Sequence, residues 1–235
     1  PDSGSFAAGQ VLFEIEASSR TIVASERTIL NFLQRLCGIA TYTNKLVKLI
    51  QDYPVELLDT RKTMPGMRVL EKAAFKYGGG TNHRFNLSDM VMLKENHLAC
   101  IEDLATVISN FKNKDLRHPA KPCFASDVDT KKVGTVQSTS SVSEDKDDFG
   151  KKSIKFEVEI NKDNLDKLEL VIEAGVDQIM LDNFAPSEII ELKNKIALFS
   201  MAQPKLEASG GINESNLIDY AKTGVDYIST SISFT

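Results

Sequence analysis

Two rhythms of apolar residues alternate along most of this chain. Short apolar runs at 55–59, 90–94, 154–160, 178–182, 205–209 and 226–229 read as strands, each closed by polar or turn residues. Between them, at 67–77, 100–112, 162–174, 186–199 and 214–223, apolar positions recur three and four apart, the spacing of one buried helix face. Strands that alternate with amphipathic helices are joined in parallel, because a helix carries the chain back across the sheet. Six such units predict an α/β fold, an open (β/α) barrel of TIM-like type. A doubly wound sheet is the alternative, but no GxGxxG follows the first strand, and polar residues recur inside the strands, as a barrel interior requires.

The first part of the chain breaks this pattern. Residues 11–17 (VLFEIEA) and 21–24 (TIVA) have strand-like alternation and read as the remnant of a small N-terminal α/β domain over 1–24, with the barrel domain over 25–235. From 25 to about 52 the period becomes helical: Ile29, Leu30, Leu33, Leu36 and Cys37 form one stripe, with Ser25 as its cap. After an interruption at 38–43, Leu46, Val47, Leu49 and Ile50 begin another. Residues 112–153 are rich in Ser, Thr, Lys and Asp with few large apolar side chains, so they read as a disordered insertion. His118, inside that stretch, is no site candidate.

Composition narrows the function. The chain has 235 residues, 42% hydrophobic and 26% charged, with a formal charge of −5, which excludes the positive surface needed for nucleic acid or an anionic membrane. Cys37, Cys100 and Cys123 are odd in number and in no CxxC spacing, so neither a disulfide framework nor structural zinc is expected. With no membrane-length apolar run and no signal-peptide pattern, a reducing, cytoplasmic location is expected. The initial Pro1 in place of Met reads as a fragment or a processed chain.

Against this negative background, basic side chains gather where a barrel displays its ligand groups, at the C-terminal ends of strands. Arg61 and Lys62 follow the first strand and precede a stiff Thr-Met-Pro-Gly turn; His83 and Arg84 lie in GGGTNHR; Lys94 ends the second strand. Glu157 and Glu159 alternate on the third strand and so share a face, and Asp182 closes the fourth. Ser209, Gly210 and Gly211 end the fifth strand before a helix, where backbone N–H groups and side-chain-free glycines can cradle a phosphate. Five basic groups, carboxylates and a phosphate cradle together predict a highly anionic substrate, with the acids kept for a metal ion or ribose hydroxyls. A Schiff-base lyase using Lys94 or Lys62, and a binding module without turnover, fit the same residues.

The strings ERTILNFLQRLCGIAT (26–41), DTRKTMPGMRVLEKAAFKYGGGTNHRFNLSD (59–89), MLKENHL (92–98), FEVEI (156–160), AGVDQIMLDN (174–183) and LEASGGINESNL (206–217) closely resemble the quinolinate phosphoribosyltransferase (nicotinate-nucleotide pyrophosphorylase) family. The resemblance covers nearly all the chain outside 112–153. It implies a small α/β domain joined to an open α/β barrel, working as a homodimer, and transfer of phosphoribosyl from 5-phosphoribosyl-1-pyrophosphate to quinolinate with decarboxylation, in NAD biosynthesis. By motif position, Arg61, Lys62, His83, Arg84 and Lys94 would hold the quinolinate carboxylates and the pyrophosphate, with Lys62 and Lys94 among the catalytic groups. Glu159 and Asp182 would be catalytic and meet Mg²⁺ and ribose hydroxyls, while Ser209, Gly210 and Gly211 would take the 5′-phosphate. Arg27 would reach the neighbouring subunit's site. Ser231 stands where the family usually has glycine, and the family's N-terminal domain normally begins some tens of residues before Pro1.

Overall fold

The computed structural model describes residues 4–113, 154–199, 203–231 and 234. Most of the polar stretch read as an insertion, with His118 and Cys123, lies outside them.

Residues 4–18 form an exposed coil that leads to the first described helix, α1 (Ser19–Leu49). This corrects the strands expected at 11–17 and 21–24. The alternation is present, but among the described residues no strand lies alongside to take up the backbone hydrogen bonds, and a lone strand is not stable in water. Ser18, rather than Ser25, caps α1: its hydroxyl accepts the Thr21 N–H at 3.3 Å. The helix also runs without a break through 38–43. Its buried residues, Ile39, Thr43 and Leu46, fall on one stripe of its C-terminal half. That stripe lies so close to the next helix that a side chain at Gly78 would stand 2.5 Å from the Ala40 carbonyl oxygen.

The strand and helix rhythm of the rest is observed. In order come β1 (Glu56–Leu58), α2 (Arg68–Tyr77), β2 (Met90–Leu93), α3 (Glu95–Leu98), α4 (Leu104–Asn113), β3 (Lys155–Ile160), α5 (Leu168–Glu173), β4 (Gln178–Asp182), α6 (Pro186–Ile196), β5 (Lys205–Ser209), α7 (Leu217–Ala221) and β6 (Tyr227–Ser229). Two helices differ from expectation at their starts. Residues 95–98 form the separate short turn α3, and the segment 162–174 begins with a 3₁₀ turn (Leu165–Lys167).

All strand pairs are parallel and the sheet order is β1-β6-β5-β4-β3-β2. This is the circular order of a barrel, left open between β1 and β2. Alternate side chains divide the layers. Phe156, Val158 and Ile160 of β3, Ile179 and Leu181 of β4, and Leu206 and Ala208 of β5 join Val171, Ile189, Leu192, Leu217 and Tyr220 of the covering helices in one apolar core. The intervening residues, Glu157, Glu159, Gln178, Met180, Asp182, Glu207 and Ser209, share the opposite, concave face.

The segment 81–84 partly closes the open seam. Thr81 bridges Leu58 in parallel, donating its N–H to Leu57 O (2.8 Å) and accepting that of Asp59 (3.2 Å). Across the gap, Arg84 Nη1 donates to Met90 O of β2 at 3.2 Å. Gly80 makes this path possible, since a Cβ there would meet the Phe75 ring at 2.1 Å.

Candidate active site

The two arginines are set by different devices. Arg61 leaves β1 just before the turn Met64-Pro65-Gly66-Met67, where Gly66 has φ +78° and Met67 N–H bonds Met64 O at 3.0 Å, as in a type II turn. Arg68 reinforces this loop, donating through Nη2 to Arg61 O (3.3 Å), through Nε to Thr63 Oγ1 (3.1 Å) and through Nη1 to Phe85 O (3.4 Å). Arg84 hangs from the seam segment. Burial works against its charge, and so does Arg61, so two like charges are held near enough to repel. The Nε atoms of both are buried without a hydrogen-bond partner. A pair of guanidiniums with spare buried donors is a receptor for a carboxylate or phosphate.

Behind the arginines lies a buried ion pair. Lys72 of α2 and Asp59 at the end of β1 are 2% and 0% exposed, with Nζ 2.5 Å from Oδ1. Lys72 Nζ also donates to His83 O (2.9 Å), and Asp59 Oδ1 accepts the His83 N–H (2.8 Å). The Asn82 amide, turned to suit its neighbours, donates to Asp59 Oδ2 at 2.9 Å and to Lys72 O at 3.0 Å.

The seam also places His83 inside the barrel. Its Nε2 lies 3.1 Å from Glu157 Oε2 and 3.4 Å from Glu207 Oε2, and Gln178 Nε2 donates to both carboxylates, at 2.9 and 2.5 Å. Burial would lower the basicity of His83, but the two glutamates outweigh it and push it up to about 9. Burial, aided by Glu207 and opposed by His83, pushes Glu157 up to about 7. The local geometry pulls the other way for the ring, because Nδ1 accepts the Arg84 N–H at 2.8 Å and so carries no proton in this arrangement. A neutral ring above a carboxylate pair sharing one proton has the same single negative charge as an imidazolium above two carboxylates. In both forms Nε2 carries a proton directed at the glutamates. Among the described residues these three side chains are the only close grouping of three or more potential metal ligands. The Gln178 amide already points donors at both carboxylates, which suits a shared proton rather than a cation.

A second tier lines the mouth. Lys94 Nζ is ion-paired with Glu159 Oε2, and Asp182 Oδ2 accepts from Asn183 Nδ2 at 2.6 Å. Each carboxylate keeps one oxygen free of these contacts, on adjacent strands. Two hard oxygen donors of this kind could hold Mg²⁺, which takes few protein ligands. Next to them the β5 end turns on Gly210 (φ +94°), where a Cβ would lie 2.3 Å from Asn183 Oδ1, and on Gly211 (φ +63°), which borders open space. Asn183 itself adopts φ +60° and donates its N–H to Ser209 O at 2.9 Å, tying the β4 and β5 ends together. Ser209, Gly210 and Gly211 thus sit beside Asp182. Lys62 lies exposed on the rim beside Arg61. Arg27 does not join the group: it is exposed on the N-terminal half of α1.

The comparison with known proteins follows this geometry. The profile for "Quinolinate phosphoribosyl transferase, C-terminal domain" matches residues 39–142 and again 128–235, and that for the N-terminal domain matches 1–37. The chain belongs to the quinolinate phosphoribosyltransferase family. A "Probable nicotinate-nucleotide pyrophosphorylase [carboxylating]" of Methanocaldococcus jannaschii is 37% identical over 97% of this chain and 69% of its own length; that of Bacillus subtilis is 34% identical over 94% and 62%. The solved nicotinate-nucleotide pyrophosphorylase of Francisella tularensis superposes with a TM-score of 0.68 at 36% identity, covering 92% of this chain and 62% of that one. The chain therefore spans somewhat under two thirds of the latter two proteins. The two matches to the family's C-terminal domain meet at 128–142, within the polar stretch.

Several residues that the fold brings to the candidate site were not singled out from the sequence. Glu207 and Gln178 carry the same signal as Glu159 and Asp182, since each lies an even number of residues from a strand-end polar group and so shares its face. Asp59 was seen only as the end of a strand. Lys72 looked like an ordinary charged position of an amphipathic helix.

Proposed function

We propose that this protein transfers the phosphoribosyl group of 5-phosphoribosyl-1-pyrophosphate to the ring nitrogen of quinolinate, with loss of pyrophosphate and CO₂, forming nicotinate mononucleotide for NAD biosynthesis. The observation that carries the reading is the pair of half-buried guanidiniums, Arg61 and Arg84, with unpartnered Nε atoms beside a carboxylate-lined mouth. Family membership supplies the substrate class. A dianionic pyridine dicarboxylate suits two adjacent arginines, each able to grip a carboxylate through two donors.

Each part of the site then has a task. Arg61, Arg84 and Lys62 bind and orient the dicarboxylate, and His83 sets the floor beneath it. Positive charge grows on the ribose as its bond to pyrophosphate breaks, and Glu159 and Asp182 stand where carboxylates would stabilise it. Mg²⁺, when bound to these two residues, supplies charge neutralisation for the pyrophosphate. Lys94, ion-paired to Glu159, adds a cation at the same rim. Ser209, Gly210 and Gly211 fit the 5′-phosphate. Holding both reactants in line supplies much of the rate enhancement. When CO₂ leaves, the bonding electron pair stays on the ring carbon, where the positive charge of the adjacent quaternised nitrogen stabilises it, and a proton from solvent completes the product. The Schiff-base alternative draws no support from the site: Lys94 faces a carboxylate rather than the apolar pocket that frees an amine nucleophile.

The active form is read as a cytoplasmic homodimer. Ile22, Val23, Leu30 and Phe32 of α1 are exposed around Arg27, and a second copy covering them would bring Arg27 to its site. Among the described residues no helix is long and apolar enough to cross a membrane.

Purified protein with quinolinate, phosphoribosyl pyrophosphate and Mg²⁺ should release nicotinate mononucleotide and CO₂ in equal amounts, and Arg84→Ala should abolish it. Absence of both products, with quinolinate not bound in calorimetry, sinks the reading.

A further inference from the structure

Arg61 and Arg84 must stand side by side before any anion arrives, and their mutual repulsion opposes this. What holds them lies one layer below. The Asp59–Lys72 pair touches both strands of the problem. Asp59 is two residues before Arg61 on the β1 exit, and the pair grips the seam segment through the His83 N–H (2.8 Å), the His83 carbonyl (2.9 Å) and the Asn82 amide (2.9 and 3.0 Å). The residue after His83 is Arg84. Both oxygens of Asp59 already accept from these partners and the residue is 0% exposed, so it does not reach a metal or a ribose hydroxyl. Lys72 Nζ, bonded to Asp59 and to His83 O and 2% exposed, has no path to a ligand.

A salt bridge of this kind is a poor source of net stability, because desolvation of two ions consumes most of their attraction. Burial indeed disfavours the charge on both partners here. Its contribution therefore lies in geometry. We propose that Asp59 and Lys72 are positioning residues that staple the 82–84 segment to the end of β1 and so fix Arg84 against Arg61, preorganising the dicarboxylate site. This rests on the reading of the site as a quinolinate receptor. It goes further in assigning substrate affinity to two buried residues that no substrate can touch.

The test uses the full-length protein with Asp59→Asn and Lys72→Met together, which removes both charges without stranding either and keeps an acceptor for the His83 N–H. The folded variant should bind quinolinate on the order of tenfold to a hundredfold more weakly in calorimetry, the scale of misplacing one group by about 1 Å. Its KM for phosphoribosyl pyrophosphate should shift far less, since Glu159, Asp182 and the Ser209–Gly211 turn are untouched. A merely structural pair would move both or neither. A folded variant with wild-type quinolinate affinity overturns the proposal. Amide exchange of the unliganded wild-type protein tests the staple even if that variant fails to fold. The His83 N–H should be strongly protected without ligand, and free exchange there also overturns it. Failure of the wild-type protein to bind quinolinate at all would defeat the functional reading instead, leaving the staple to be judged on exchange alone.

Discussion

Replacing Lys72 alone by Met deletes an ammonium that is 2% exposed and leaves the Asp59 carboxylate, 0% exposed, without its cation. Breaking one side of a buried pair typically costs about 3–5 kcal/mol, because the remaining charge is stranded. Asp59 would still accept from the His83 N–H and the Asn82 amide, so the lower end, about 3 kcal/mol, applies here. For a chain of this size each kcal/mol lowers the melting temperature by roughly 2–4 °C, giving a fall of about 6–12 °C. The dependence on pH has a definite sign. Burial already holds the Asp59 carboxyl above its ordinary 3.8, and loss of the opposing Lys72 raises it further. A carboxyl raised in the folded state favours folding below its unfolded pKa and loses that contribution as pH rises through the folded value. The deficit of Lys72→Met should therefore be larger at pH 8 than at pH 5. Thermal denaturation followed by circular dichroism at both pH values measures this. A melting point within 2 °C of wild type at pH 8, or a deficit that grows on acidification, would refute the burial argument.

Four further outcomes are expected. Arg84→Ala should weaken quinolinate binding by roughly 2–5 kcal/mol, since it removes a half-buried charged donor from a charged partner, and unchanged affinity in calorimetry would displace Arg84 from the site. Gly80→Ala forces a methyl into the Phe75 ring and should cost about 1–3 kcal/mol or more in urea unfolding; a neutral effect would contradict the seam path. The cluster of His83, Glu157 and Glu207 holds one proton more when folded, on the ring, raised to about 9, or on the carboxylate pair, with Glu157 raised to about 7. A raised group favours folding at low pH and loses that contribution as pH rises through its folded value. Unfolding free energy should thus fall from pH 6 to 9.5, and the fall should flatten in a His83→Asn/Glu157→Gln variant; an unaltered slope there would exclude the cluster as its origin. Chelation by EDTA should stop turnover without lowering quinolinate affinity, and activity that survives exhaustive chelation would remove the metal role of Glu159 and Asp182.

The barrel was legible in the sequence because its two periods differ so sharply. Gln178–Asp182 and Lys205–Ser209 were placed to the residue by an apolar run closed by a polar group. At residues 11–17 the same alternation misled, because a strand needs neighbours to receive its hydrogen bonds and sequence period alone does not supply them. Arg61, His83 and Arg84 could be read as one site since each ends a strand or follows a turn, whereas Lys72 could not. Glu71 and Lys72 are consecutive charged residues, both almost fully buried in α2, and only the partners on other elements, Arg35 for one and Asp59 for the other, explain why. Such pairings depend on the packing of distant segments and leave no local trace.

β1, whose exit carries Asp59 and Arg61, finds its only strand neighbour in β6, at the far end of the described chain. During synthesis on the ribosome β1 is made well before β6 and must wait for it before its ladder can form. A nascent chain stopped before Tyr227 would hold the four strands β2 to β5 in sequence-adjacent order, with Leu57 and Leu58 uncovered and the arginine loop without footing. Assembly of the arginine site is thereby postponed until β6 has emerged, so shorter partial products would display apolar surface rather than a formed anion pocket.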